Sequence, residues 1–129
     1  LKRLAREEEG MRDFRKLTVW QRAHELALDI YAVTRHFPKE EIYGLTQQMR
    51  RSAGSIPTNI SEGCGRDSLS EFAHFLHIAS GSSSELEYQL LLSKDLGYLP
   101  PDKFGALTRK VHEVRRMLAG LLRKLKADS

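Results

Sequence analysis

A single cysteine, Cys64, stands among 129 residues. One thiol excludes an internal disulfide, and with no Cys/His cluster beside it a zinc site is not expected; Cys64 reads as a small buried or half-buried thiol. No apolar run approaches the roughly 18 residues of a membrane span. The opening "LKRLAREEEG" is too charged for a signal peptide. These absences point to a soluble chain of the reducing cytoplasm, with no membrane partner. Strand-like alternation, long-period repeats and low-complexity linkers are also missing. The glycines of "EGCGR" make no phosphate loop, because the motif lacks a Lys-Ser/Thr ending and follows a helical pattern rather than a strand.

The length suits one domain that buries roughly two-thirds of the surface its unfolded chain would expose. Met11 is followed at once by "RDFRKLTVW", so residues 1–10 read as an upstream extension or a start-site error. Residues 1–12 are expected to be a disordered N-terminal extension, and 13–129 to form the fold. The net charge of +4 is sorted along the chain: residues 67–100 carry −4 and residues 101–129 carry +5. A basic end segment calls for an acidic partner, either nucleic acid or the chain's own acidic third segment.

Four helical patterns follow one another. Thr18 with Gln21 has capping-box spacing. Val19, Ala23, Leu26, Ile30, Val33 and Phe37 then recur at steps of 3 and 4 until Pro38. Leu45, Met49, Ala53, Ile56 and Ile60 form a second stripe that holds its phase through Pro57. A proline there removes the bond to the Ala53 carbonyl and costs about 3 kcal/mol if uncompensated, so a kink is expected. Ser68 with Glu71 is a second capping box, and Leu69, Phe72, Leu76, Ala79, Ser83, Leu86 and Leu90 make a third stripe. That stripe resumes in phase after the poor helix formers "SGSSS", which predicts one continuous helix. Pro101 suits a first helical turn, and Phe104, Leu107, Val111, Val114, Leu118, Leu121 and Leu125 form the cleanest heptad seam. The expected fold is all-α, an antiparallel up-down four-helix bundle with a proline-kinked second helix. Ile78, Tyr88 and Leu92 fall off the third stripe, and are read as a subunit interface.

A di-metal bundle site needs two Glu-x-x-His pairs, and only Glu71 with His74 has that spacing. His74 and His77 lie off the apolar stripe, facing solvent or a neighbouring subunit. His24, His36 and His112 are scattered, with no nucleophile signature near any of them. No catalytic residue, metal or cofactor is assigned, and the chain reads as a non-enzyme. The stronger signal is basic. Arg109, Arg116 and Arg123 recur every seven residues opposite the apolar seam, about 10.5 Å apart along a helix. His112 shares their face, and Lys110, Lys124 and Lys126 flank it. Such a line can track a phosphate backbone, with Arg50, Arg51 and Arg66 as second-rank contacts. No aromatic is interleaved, so shape or backbone recognition is expected rather than base stacking. Alternatively the line is a solvated face, or it pairs with Glu71, Glu85 and Glu87. On the second helix, Gln48, Ser52, Ser55, Asn59 and Glu62 form a polar ribbon beside the core. It reads as a device for helix or subunit register, with a ligand site as the other possibility.

The stretches "FRKLTVWQRAHELALDIY", "FPKEEIYGLTQQMRRSAGSIPTNISEGCGR" and "EFAHFLHIASGSSSELEYQLLLSKDLGYL" resemble the small four-helix-bundle proteins encoded in intervening sequences of bacterial 23S ribosomal RNA genes. The resemblance spans about residues 13–125. It implies a homopentameric ring of bundles with no established enzymatic activity. The family is related to accessory proteins of diversity-generating retroelements, pentamers that bind nucleic acid and a reverse transcriptase. The motif residues that match are Ile56, Pro57, Asn59, Glu62, Gly63 and Arg66, and a role in assembly is assigned to the first five. The leading expectation is a cytoplasmic oligomer that binds nucleic acid, RNA favoured. The competing one is a protein-interaction scaffold or accessory subunit with no direct nucleic-acid contact.

Overall fold

The computed structural model describes residues 13–128, so the expectation of disorder over residues 1–12 lies outside the described residues. Four α-helices account for most of them: α1 (Thr18–Thr34), α2 (Leu45–Cys64), α3 (Leu69–Asp95) and α4 (Pro101–Asp128). Short 3-10 turns occupy Phe14–Lys16 and Lys39–Glu41. The described residues contain no strand. Each helix packs on its neighbours in sequence, and α1 closes the ring against α4. This is the four-helix bundle that the four amphipathic stripes require.

The start of α1 differs from expectation. The N-cap is Leu17, with no side-chain cap, and Thr18 is already helical. The preceding 3-10 turn feeds the chain directly into the helix, and Gln21 Nε2 reaches back to donate to the Arg15 carbonyl at 2.8 Å. The second capping site is as expected, with Ser68 Oγ accepting from the Glu71 N–H at 3.1 Å. Helix α3 runs unbroken through the serine-rich stretch. It ends at Gly97, whose φ of 80° lies in the left-handed region that glycine adopts without strain. There the Tyr98 N–H bonds back to the Ser93 carbonyl at 2.9 Å, closing the helix end.

Helix α2 continues through Pro57, which is buried. The core follows the predicted stripes. Leu26, Ile30, Met49, Ile56, Ile60, Leu76, Leu86, Leu90, Val111 and Leu118 are all fully enclosed. At the end of the bundle where α1 meets α2 and α3 meets α4, Glu41 joins the two connections. One carboxylate oxygen accepts from the Leu45 N–H at 3.2 Å and the other from the Tyr98 hydroxyl at 3.0 Å.

Candidate nucleic-acid interface

Helix α4 turns Leu107, Val111, Val114, Leu118 and Leu125 into the core. A helix with that inner face must carry residues 109, 116 and 123 on its outer one. Arg109, Arg116 and Arg123 are all exposed. Among the described residues none of the three forms an ion pair.

The acidic third segment does not neutralise this line. Glu87 is occupied by Arg115 and by His112, whose Nε2 lies 3.0 Å from its carboxylate. These partners hold the Glu87 carboxyl below its usual range, the His112 hydrogen bond most of all, against the opposing pull of burial. Glu71 and Glu85 are exposed and make no ion pair with the line. A helix-to-helix pairing does occur on the flanks of α4, using its other charges. Lys110 pairs with Asp29 of α1, and Glu113 forms an ion pair with Arg22 of α1, its carboxylate 2.9 Å from Arg22 Nε. Lys110 and His112 are therefore tied to neighbouring helices. Lys124 and Lys126 are exposed near the end of α4.

The second-rank arginines divide. Arg51 is exposed. Arg50 is half-buried and bound to α1, donating to Thr34 Oγ1 at 2.9 Å with its guanidinium 4.9 Å from the centre of the Tyr31 ring. Arg66 donates to Glu62 at 2.5 Å and lies 4.7 Å from the Phe75 ring centre. Arg50 and Arg66 thus have partners that tie them to the fold.

Asn59, Gly63 and Arg66 of the motif lie at the α2–α3 contact. Asn59 Nδ2 donates to the Ser55 carbonyl at 2.8 Å and to Ser55 Oγ at 2.9 Å, while Ser55 Oγ meets Ser82 Oγ of α3 at 2.8 Å. This portion of the polar ribbon links helix to helix within one chain; Gln48 and Glu62 stay exposed. At Gly63, α2 lies close against α3. A Cβ there would come within 2.8 Å of the Phe72 ring and 3.3 Å of the Phe72 carbonyl oxygen.

Of the three residues read as a subunit interface, Ile78 and Tyr88 are exposed, at 38% and 61%. Leu92 is half-buried and packs on its own core, so its position off the stripe did not carry it fully outward. Periodicity passed over a further exposed apolar group, Leu28, Tyr31, Ile42 and Tyr43, with Tyr43 87% accessible. Ile42 and Tyr43 sit in a connection, where no helical stripe exists to be broken. Cys64 is buried, which together with the Asp13 charge pushes its thiol up to about 11.

One other feature completes the surface of α4. Between the first turns of α3 and the last turns of α4 lies a groove of about 630 Å³, with His74, His77, Arg123 and Lys126 among its lining residues. Among the described residues, no group of three His, Cys, Asp or Glu side chains comes together to hold a metal, and no helix is long and apolar enough to cross a membrane.

A family model for the 23S rRNA-intervening sequence protein matches residues 15–120. Among solved structures, a protein of unknown function from the S23 ribosomal protein family of Bacteroides thetaiotaomicron VPI-5482 is similar. It is 24% identical with a TM-score of 0.75, covering 81% of this chain and 95% of that one. At that identity the likeness speaks for the fold. No curated protein matches the chain.

Proposed function

The chain belongs to the 23S rRNA-intervening sequence protein family, and from that premise we propose that it is a non-enzymatic, oligomeric nucleic-acid-binding protein whose contact surface is the outer face of α4. The observation that carries this reading is the line of Arg109, Arg116 and Arg123, exposed and without an ion pair among the described residues. Three guanidinium groups spaced about 10.5 Å apart on a rigid helix form a backbone-tracking surface whose affinity rests on counterion release. The family's name refers to ribosomal RNA, which makes RNA the first ligand to test.

The test is a titration of RNA binding against salt. Each neutralised phosphate contributes roughly 0.7 to 0.9 to the slope of log affinity on log salt, so three contacts per chain give a slope near −2 to −3. Replacing the three arginines with alanine should flatten that slope. Absence of binding at moderate salt would reject the reading.

A second reading, an interaction scaffold, has its own support in the exposed Tyr43, Tyr88 and Ile78. Tyrosines are favoured at protein interfaces. Assembly of several copies, a pentamer being the expectation, accommodates both readings, because it covers apolar surface and gathers the arginine lines of several chains. Light scattering that returns a monomer would reject assembly while leaving the arginine line open to its own test.

A further inference from the structure

The arginine line does not end on plain helix surface. Its last member, Arg123, lines the groove of about 630 Å³ between α3 and α4, a volume within the usual range of small-ligand sites, about 300 to 1,000 Å³. The apolar part of its lining, its floor, is Leu69 and Ala73 from α3 with Leu122 and Leu125 from α4, and Ala73 is the smallest side chain of these. His74 and His77 stand on the α3 side, both exposed. Among the described residues that line the groove there is no carboxylate. A site for phosphate alone would gain nothing from an apolar floor, and a purely apolar peptide would gain nothing from a guanidinium and two imidazoles.

Resting on the reading of the arginine line as a nucleic-acid surface, we infer that this groove receives one unpaired nucleotide of the bound strand. Arg123 holds its phosphate, with the planar fork suited to phosphate oxygens. The base lies on the apolar floor, and the imidazoles of His74 and His77 supply ring faces and N–H donors beside it. This gives the protein a means of discriminating among RNAs that the arginine line by itself lacks. The line measures a backbone; the groove requires a base that can leave its stack.

The experiment compares two fluorescently labelled RNA duplexes, identical except that one carries a single-nucleotide bulge, by anisotropy on the full chain. The wild-type protein is expected to prefer the bulged duplex by on the order of tenfold, as for one stacked base. Ala73→Leu, which fills the floor, and separately His77→Ala should abolish the preference while leaving affinity for the unbulged duplex unchanged. His77 is exposed, so its variant reports on the groove even if Ala73→Leu folds poorly. Arg116→Ala should weaken both duplexes equally. Equal wild-type binding of the two duplexes, or a preference that survives both groove variants, overturns the inference and leaves the arginine line standing. Binding of neither duplex overturns the reading of the line and this inference with it. If adenosine monophosphate binds the wild-type protein but not Ala73→Leu, and the duplexes are not distinguished, the groove is a free-nucleotide site and the placement of a strand in it is wrong.

Discussion

Along the α2–α3 contact, polar side chains find partners within the chain. Ser55 meets Ser82, Asn59 donates to Ser55, and Arg66 takes up Glu62 and the face of Phe75. On the outer face of α4, Arg109, Arg116 and Arg123 have no ion pair among the described residues, although carboxylates of α1 and α3 pair with their neighbours Lys110, His112 and Arg115. The most distinctive sequence motif therefore lies in the region with the least chemistry left to offer. An asparagine and a tightly packed glycine inside a helix mark where two helices interlock. A plain heptad of arginines marks the surface with charge to spare.

The comparison breaks first at the core behind the motif. Ile60 is fully enclosed, and Ile60→Ala should cost about 2 to 5 kcal/mol in urea unfolding; a loss below 1 kcal/mol, taken as roughly the cost of an exposed change, would show that the α2–α3 contact is not tightly packed. Gly63→Ala comes next, at about 1 to 3 kcal/mol, because the added methyl must push against the Phe72 ring and backbone. Thermal melts of Gly63→Ala beside Gly81→Ala sharpen the point, since a Cβ at Gly81 meets nothing within 4 Å. Asn59→Ala removes two hydrogen bonds to Ser55 and should cost about 1 kcal/mol.

Smaller effects probe the titratable groups. The Glu87 carboxyl is held below its ordinary 4.5 in the folded chain, chiefly by His112. Its contribution is present above the unfolded value and is lost as pH falls through the lowered folded value. Glu87→Gln should therefore flatten the acid limb of a stability-versus-pH profile, and an unchanged limb would contradict this assignment. The least effect is expected from Cys64. With its thiol pushed up to about 11 by burial, it should remain protonated at neutral pH and react with a thiol reagent only after unfolding.

Much of the fold was legible because apolar residues at steps of 3 and 4 report helices directly, and the phase held through Pro57 and the serine run alike. The start of α1 was misread at Thr18, because capping-box spacing says nothing of the 3-10 turn that makes Leu17 the N-cap. The arginine line could be read from a heptad because all three residues share one face. The partners of Arg50 and Lys110 could not. Each reaches across to α1, and such contacts depend on how two helices are rotated against each other, which no single-helix pattern contains. The groove at His77 was hidden for the same reason, since nearly half of its lining comes from another helix.

The most direct test sets one arginine from each region against the other: RNA affinity and thermal stability of Arg116→Glu and Arg66→Glu, measured side by side. Reversing Arg116 should weaken RNA binding by on the order of tenfold or more, through lost counterion release and added repulsion, with the melting temperature unchanged. Reversing Arg66 should lower the melting temperature, because it breaks the Glu62 pair and the Phe75 contact, and should weaken binding less. Full RNA affinity in Arg116→Glu, or equal losses of affinity in the two variants, would contradict the assignment of the contact surface to the outer face of α4.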